Sequence, residues 1–565
     1  NNAGDNDLIL VAPGTYNEMV IMWKPVQLQG WGEGSVTIDA IKTPFEKLVA
    51  WRTLIETLVT NGDIDLAPGQ QNGFGGIEPG AFFSEEGAGV LVVATANGNA
   101  SFGRSRNQGA RVDGMTITSA DTGGGVVLNA YAESVDVSNL RIVNNSAFFA
   151  GGVRVGHPLL TVEQGNNLVY SDAGNTDVRI HHNTITQNGG LDGAGGGIGI
   201  HTGSDNYQVN GNFVCGNFTT ADGAGIAHYG LSDGGVISNN TVLFNENFNQ
   251  GITINGGGIL VAGMPPFGCP VDPLTGQPDP ACLADPEQSL SPGSGSVLIT
   301  GNLVQGNSAG AGDGAGIRLS RINGQDIDVP NNKPVEFDWV IDVVDNIIVN
   351  NVAALSGGGI SLQDALGVNI TANTIANNDN ASTAGEAFTP GIPEQSNPQP
   401  GAGIVSRSHT LALQTLLPAS EPLFSDATLV DNIVWQNRMF YWFSDSAAIP
   451  TQSGLCPDIG GTTGLACPDG GTEPVYDDLA VIGTAGTLTC TGCLFTGDPS
   501  VEFVAEYVNG NRNTTTFNPE IKTAIEAPAA FDEGGNFIRL RYGPLTQVDT
   551  VTGLLLGDYE LTTAP

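Results

Sequence analysis

Asn183-Thr184-Ile185-Thr186-Gln187-Asn188, Asn212-Phe213-Val214-Cys215-Gly216-Asn217 and Asn240-Thr241-Val242-Leu243-Phe244-Asn245 follow one pattern, with Asn at both ends and Ile or Val in third place. Further copies begin at Asn302, Asn346, Asn373 and Asn432. Most are followed by Gly-(Gly or Ala)-Gly-Ile, ending at Ile198, Ile226, Ile259, Ile317, Ile360 and Ile404. The closest copies start 27 to 29 residues apart, the size of one supersecondary unit that buries its apolar face only by stacking on its neighbours. Apolar alternations such as Val178 with Ile180 are short, and Gly-rich turns interrupt every run, which excludes helical repeats. A propeller blade needs several strands in about 40 to 45 residues and fits less well. The sequence therefore predicts an all-β chain, a right-handed parallel β-helix with coils about 4.8 Å apart. At a coil corner Asn tolerates left-handed backbone and caps amides, and identical side chains in successive coils can stack as a ladder. The predicted ladder is Asn183, Asn212, Asn240, Asn302, Asn346, Asn373 and Asn432.

Irregular spacing marks insertions, one with Pro and Cys near 264–292 and a polar one near 379–400, where Asn380 is expected to be dispensable. An imperfect repeat, Asn139 to Asn145, is one residue longer than the rest. The reading divides the chain into N-terminal coils (1–40), a helix-containing insertion (41–88), the repeat region (89–456) and a C-terminal cap or small β domain (457–565). In the insertion, Thr43-Pro44-Phe45-Glu46 has the form of a capping box, Phe45, Leu48, Val49, Ile55, Leu58 and Val59 form an apolar stripe, and Gly62 stops the helix. Such a helix would cover a coil end or flank.

The 565 residues include 80 Gly, and 58 acidic residues against 19 basic ones leave a net charge of −39. That balance opposes nucleic acid and anionic membranes and favours cations. No apolar stretch is long enough to span a bilayer. Cys269 with Cys282 and Cys456 with Cys467 are predicted disulfides within loops, which suits an oxidising compartment: extracellular, cell-surface or periplasmic. Cys490-Thr491-Gly492-Cys493 is not followed by His, so covalent haem is not expected, and Cys215 reads as a buried thiol.

Leu8-Ile9-Leu10-Val11-Ala12-Pro13-Gly14-Thr15-Tyr16-Asn17-Glu18, with Lys24-Pro25-Val26-Gln27-Leu28-Gln29-Gly30, resembles the opening coils of the pectin-lyase-like β-helix superfamily. The resemblance implies a secreted protein and an outer groove that takes acidic polysaccharide. Gly557-Asp558-Tyr559-Glu560-Leu561-Thr562 resembles a module-ending motif, so a segment of a longer protein is expected.

Chemistry is less legible. Asp177, Arg179 and His181 fall on the outer face of one strand by period-two alternation, and carboxylate, guanidinium and imidazole together suit proton abstraction. An exposed ion pair beside a surface His explains them as well. Asp192, Asp222 and Asp313 each open an Asp-Gly-Ala-Gly turn, and stacked carboxylates suit Ca²⁺. His201 and His228 lie on equivalent strands without a third ligand, and the adjacent acids Glu85-Glu86, Asp477-Asp478 and Asp532-Glu533 read as solvated turns. The leading function is a non-catalytic secreted or surface module, structural, adhesive or ligand-presenting. Alternatives are a polysaccharide lyase, epimerase, hydrolase or binding protein, and an accessory module of a larger secreted enzyme such as a cupredoxin-type oxidase. Expected partners are polysaccharide, other surface proteins or further copies of the chain.

Overall fold

A computed structural model of the chain describes every residue except 1–2, 71–81, 97–101, 103–108, 165–166, 192, 250–251, 266–289, 331–333, 446–451, 458–474, 508–556 and 563–565. The coil that contains Asn183 passes along Arg179–His181, Thr184–Thr186, Gly189–Gly190 and Ile198–His201. These strands belong to four sheets of 12, 12, 9 and 11 strands, called here the first, second, third and fourth in that order. Arg179–His181 pairs in parallel with Asp136–Ser138 in the preceding coil and Gln208–Asn210 in the next, and the same register repeats along the stack. The fold is a parallel β-helix. Ile180, Val209 and Ile237 from the first sheet meet Ile185 and Val214 from the second and Ile198 and Ile226 from the fourth, all fully buried. Each such side chain contributes about 1.5–3 kcal/mol of apolar burial.

Two asparagine ladders run along the stack. Asn212 Oδ1 accepts both the backbone N–H of Asn183 (3.1 Å) and its Nδ2 (3.0 Å). Asn240 does the same for Asn212, and the series continues through Asn302, Asn346, Asn373 and Asn432. The second ladder, one corner further on, joins Asn145, Asn188, Asn217, Asn245, Asn307, Asn351, Asn378 and Asn437. Each Nδ2 also reaches a carbonyl of the preceding coil, as Asn212 reaches Ile180 (2.8 Å). A buried amide is thereby satisfied on every side, which is what a buried polar corner requires. The left-handed residue is not the ladder asparagine but the one before it: His182 (φ 55°), Gln187 (58°), Asn239 (54°) and Phe244 (51°). This explains the imperfect repeat. Asn139 is the left-handed corner (φ 51°) and Leu140 occupies the ladder place, its amide still bonded to Asn183 Oδ1 (3.0 Å).

Glycine before the buried Ile is a packing demand: a Cβ on Gly225 would lie 2.4 Å from the Gly258 carbonyl oxygen of the next coil. Only hydrogen fits where backbones approach this closely.

Accessory elements lie on the outside. Helix α1, Phe45–Asn61, ends in a left-handed Gly62 (φ 72°), with Asp63 N–H bonded to Leu58 O and Gly62 N–H to Val59 O. It flanks the fourth sheet, packing Trp51, Ile55 and Leu58 against Leu91, Val93 and Val127. Its start departs from expectation, because Pro44 is the cap residue and no side chain caps it. Its buried face is also rotated: Trp51 is buried, whereas Phe45 and Val49 are 63% and 44% exposed. A second helix, α2 (Leu411–Leu416), was not anticipated. The hairpin Arg438–Asp445 with Gln452–Pro457 lays Phe440, Trp442 and Leu455 on Cys215, Leu243, Phe244 and Val352. The pair Phe503–Ala505 with Asp558–Leu561 covers Val349, Ala376 and Trp435 of the second sheet.

Coil strands continue past residue 457: Leu479–Ile482, Cys490–Thr491 and Leu494–Phe495 extend the fourth, first and second sheets. The 379–400 stretch begins inside a coil as well, since Asp379–Asn380 is a strand of the third sheet.

Candidate functional site

The outer row of the first sheet holds the charged cluster. In parallel register, Gln27, Arg111, Asp136, Arg179 and Gln208 occupy successive coils. Arg179 grips Asp136 with two contacts, Nε to Oδ1 at 2.6 Å and Nη2 to Oδ2 at 2.8 Å. His181 Nε2 stands 3.8 Å from Asp136 Oδ1, and His181 Nδ1 lies 3.0 Å from His182 Nδ1. The partner of Arg179 and His181 is therefore Asp136, not Asp177. Asp177 sits in the turn ahead of the strand with left-handed backbone (φ 56°), where strand alternation does not hold, and its amide bonds to Asp205 O. Paired in this way, Arg179 positions a cross-coil carboxylate more readily than a substrate.

The Asp-Gly-Ala-Gly turns lie at the corner leading into the fourth sheet. Asp222 Oδ1 accepts the Asn255 amide (2.5 Å), and Asp313 Oδ1 accepts the Ser356 amide (2.9 Å), so each carboxylate closes the turn of the next coil. Asp313 is also ion-paired: Arg407 donates from Nη2 at 2.8 Å and contacts it through Nε, and Arg318 Nη1 is 3.7 Å away. The calcium expectation rested on carboxylates that repel unless bridged, and at Asp313 arginine supplies the opposite charge. Asp192 lies outside the described residues. Among the described residues no group of three or more His, Cys, Asp or Glu is placed to hold a metal.

His201 and His228 do not converge. In register His228 pairs with Ile200 and points into the coil, bonded to Tyr207 Oη (2.8 Å) and near the Ser294 carbonyl (2.8 Å). Burial lowers its pKa to about 4 and holds that of His201 well below the imidazole range. Glu85 and Glu86 are not solvated. Glu85 is fully buried against Arg154 of the strand Val153–Val155, which ties the helical insertion to the coils, and Glu86 contacts Arg52 (2.6 Å) and Lys42 (3.6 Å) within the insertion. Asp478 ends the second ladder, accepting Asn437 Nδ2 at 3.0 Å, and burial raises its pKa. Asp532 and Glu533 lie outside the described residues.

Cys490 and Cys493 form a disulfide, and Cys493 stands where the first ladder would place its next asparagine, its Sγ 3.3 Å from Asn432 N. Cys456 is disulfide-bonded, and Cys467, Cys269 and Cys282 lie outside the described residues. Cys215 is a buried free thiol, its pKa raised to about 12 by burial. Sequence reasoning missed Glu246, which is 1% exposed in the third sheet with no hydrogen-bond partner for either oxygen among the described residues; burial raises its pKa to about 8.

No family model matches the chain, and no curated protein matches it. A solved structure, the crystal structure of the Dettilon tailspike protein, is similar with a TM-score of 0.21 and 11% identity over 70% of this chain. The chain spans 62% of that protein's length.

Proposed function

We propose that the chain is a rigid, non-catalytic β-helix module of a secreted or cell-surface protein, holding or presenting other groups along its length. One observation carries this reading: among the described residues, the best-buried acidic and basic side chains that the fold brings together tie coil to coil or insertion to coil. Asp136 with Arg179, Asp313 with Arg407, Glu85 with Arg154 and Asp379 with Arg438 are each such a pair. A catalytic carboxylate needs a face open to substrate, and these are occupied. Among the described residues no helix is long and apolar enough to cross a membrane.

The alternative, a polysaccharide-active or polysaccharide-binding protein, draws support from the mainly polar outer row of the first sheet, where Asn210 Nδ2 donates to Ser238 Oγ (2.7 Å) and Thr300, Val344 and Thr371 follow. Both readings meet in one experiment. The chain is incubated with a panel of uronate polymers, with unsaturated products and new reducing ends both measured. The module reading expects neither signal. Turnover that disappears in Arg179→Ala would overturn it in favour of an enzyme.

A further inference from the structure

Four cysteines fall among the described residues, and two of them, Cys215 and Cys456, are 1% exposed. The other two, Cys490 and Cys493, are half-buried and joined to each other. We propose that this disulfide is a thiol–disulfide exchange site for small thiols of neutral or positive charge, with Cys490 the sulfur attacked and Cys493 the sulfur released.

Its place in the fold makes it reachable. Cys490–Thr491 is the last strand of the first sheet, and Cys490 is in register with Leu429, while Cys493 stands in the ladder place after Asn432. Leu429 and Asn432 hold these inward positions in the coil before and are 2% and 0% exposed, because a further coil covers them. Among the described residues no strand of the first sheet follows Cys490–Thr491, so the two sulfur-bearing residues keep access to solvent.

The ladder decides which sulfur leaves. Asn432 Oδ1 accepts the amide and Nδ2 of Asn373 at 2.9 and 3.0 Å. Asn432 in turn directs its own donors at sulfur. Its amide is 3.3 Å from Cys493 Sγ, and its Nδ2 is 3.9 Å from Cys493 Sγ and 4.0 Å from Cys490 Sγ. An N–H donor stabilises thiolate over thiol, and exchange is faster when the departing sulfur is the better-stabilised anion. The short contact belongs to Cys493. An external thiolate therefore bonds to Cys490 Sγ as the Sγ–Sγ bond breaks, and the electron pair goes to Cys493 Sγ. A second thiolate displaces the first from Cys490. Two thiols are thereby oxidised to one disulfide, and the protein disulfide is reduced to two thiols that take up the protons released.

Charge selects the thiol. Gly492 is the left-handed corner between the cysteines (φ 72°), and the Asp431 carboxylate occupies the place a Cβ there would take. This carboxylate and the net charge of −39 repel anionic thiols and concentrate cationic ones. The competing role is a structural staple. Residues three apart close a short loop, which removes less freedom from the unfolded chain than a long-range link does. Cys490–Thr491 and Leu494–Phe495 are also held by parallel pairing to the preceding coil.

The folded chain is treated with cysteamine or with mercaptoethanesulfonate at equal thiolate concentration, quenched with acid at intervals, and its adducts are mapped by peptide mass spectrometry. The first mixed disulfide should lie on Cys490 in about tenfold excess over Cys493, and cysteamine should react several times faster than the sulfonate. The disulfide of the buried Cys456 is the internal reference and should react more slowly. The double variant Cys490→Ser/Cys493→Ser should keep the fold with a slight shift in its melt and form no adduct at either position. Adducts divided equally or gathered on Cys493, equal rates for the two thiols, reaction no faster than at Cys456, or a melt that collapses in the double variant would each overturn the proposal.

Discussion

The outer faces of the first and second sheets are built on the same coils yet carry different chemistry. On the second sheet the outward positions are mostly polar in early coils, with Thr116, Thr118, Arg141, Thr184 and Thr186, and become mostly apolar from Phe213 onward, with Leu243, Leu303, Ile347, Val349, Ile433 and Trp435 among Thr241, Gln305 and Thr374. The change coincides with coverage, because the hairpin from Arg438 and the strand pair ending at Leu561 lie on the apolar stretch. The first sheet carries Gln208, Asn210, Thr300 and Asn369 outward, among Val236, Leu298 and Val344, and most of these positions are at least half-exposed. Inward residues thus report the coil and outward residues report what covers it.

The largest effect should come from the covered face. Phe440 is fully buried in the hairpin's contact with the coils, and Phe440→Ala should cost about 3–5 kcal/mol by loss of burial and a residual cavity. If chemical denaturation gives a cost near zero, the hairpin is not docked and the contrast between faces fails.

Glu246, on the third sheet in register between Phe218 and Ser308, sharpens the comparison through pH. Its folded pKa is raised to about 8 from an ordinary 4.5 by burial. Between those values the folded state holds a proton that the unfolded state has released, so stability falls as pH rises through that window and levels off above it. Glu246→Gln should therefore stabilise the protein at pH 9 and change little at pH 4, measured as melting temperature. A gain that is the same at both values would mean the carboxyl is solvated.

Asn380 comes next. It is fully buried, donates Nδ2 to Gln399 O (2.8 Å) and Pro400 O (3.1 Å), and accepts the Gly358 amide (2.9 Å). Asn380→Ala should cost about 1–3 kcal/mol, the penalty for orphaned buried polar groups. The smallest effect belongs to the open face: Leu298, 37% exposed on the first sheet, should tolerate Leu298→Thr within about 0.5 kcal/mol. A loss several times larger would show that this face too is covered.

The coil and its asparagines were legible because a ladder needs the same residue at the same place in every turn, and repetition is visible in one sequence. What pairs across coils was not. Arg179 and Asp136 are 43 residues apart, against 27 to 29 for the closest ladder copies, because the hairpin Thr161–Gln164 with Asn167–Tyr170 lies between them. Asn380 was misread because the Pro- and Gly-rich stretch after it hides that Asp379-Asn380 aligns with Val352-Ala353. The end of α1 was readable from Gly62, but its buried face was not, since Leu91 and Val127, the sheet residues it meets, decide that face. Alternation singled out His181, but not its approach to His182, which depends on ring orientations that no spacing rule encodes.

The claim that the ladders are the directional spine of the rod is tested most directly by backbone hydrogen exchange in Asn302→Ala. Asn302 Oδ1 accepts the amide of Asn240, whereas the amide of Asn302 itself donates to Asn346 and the amide of Asn245 donates to Asn307 in the second ladder. Loss of the side chain should release the Asn240 amide to fast exchange while the Asn245 amide keeps its protection. Equal protection of Asn240 in wild type and variant, or equal loss at Asn240 and Asn245, would contradict the account.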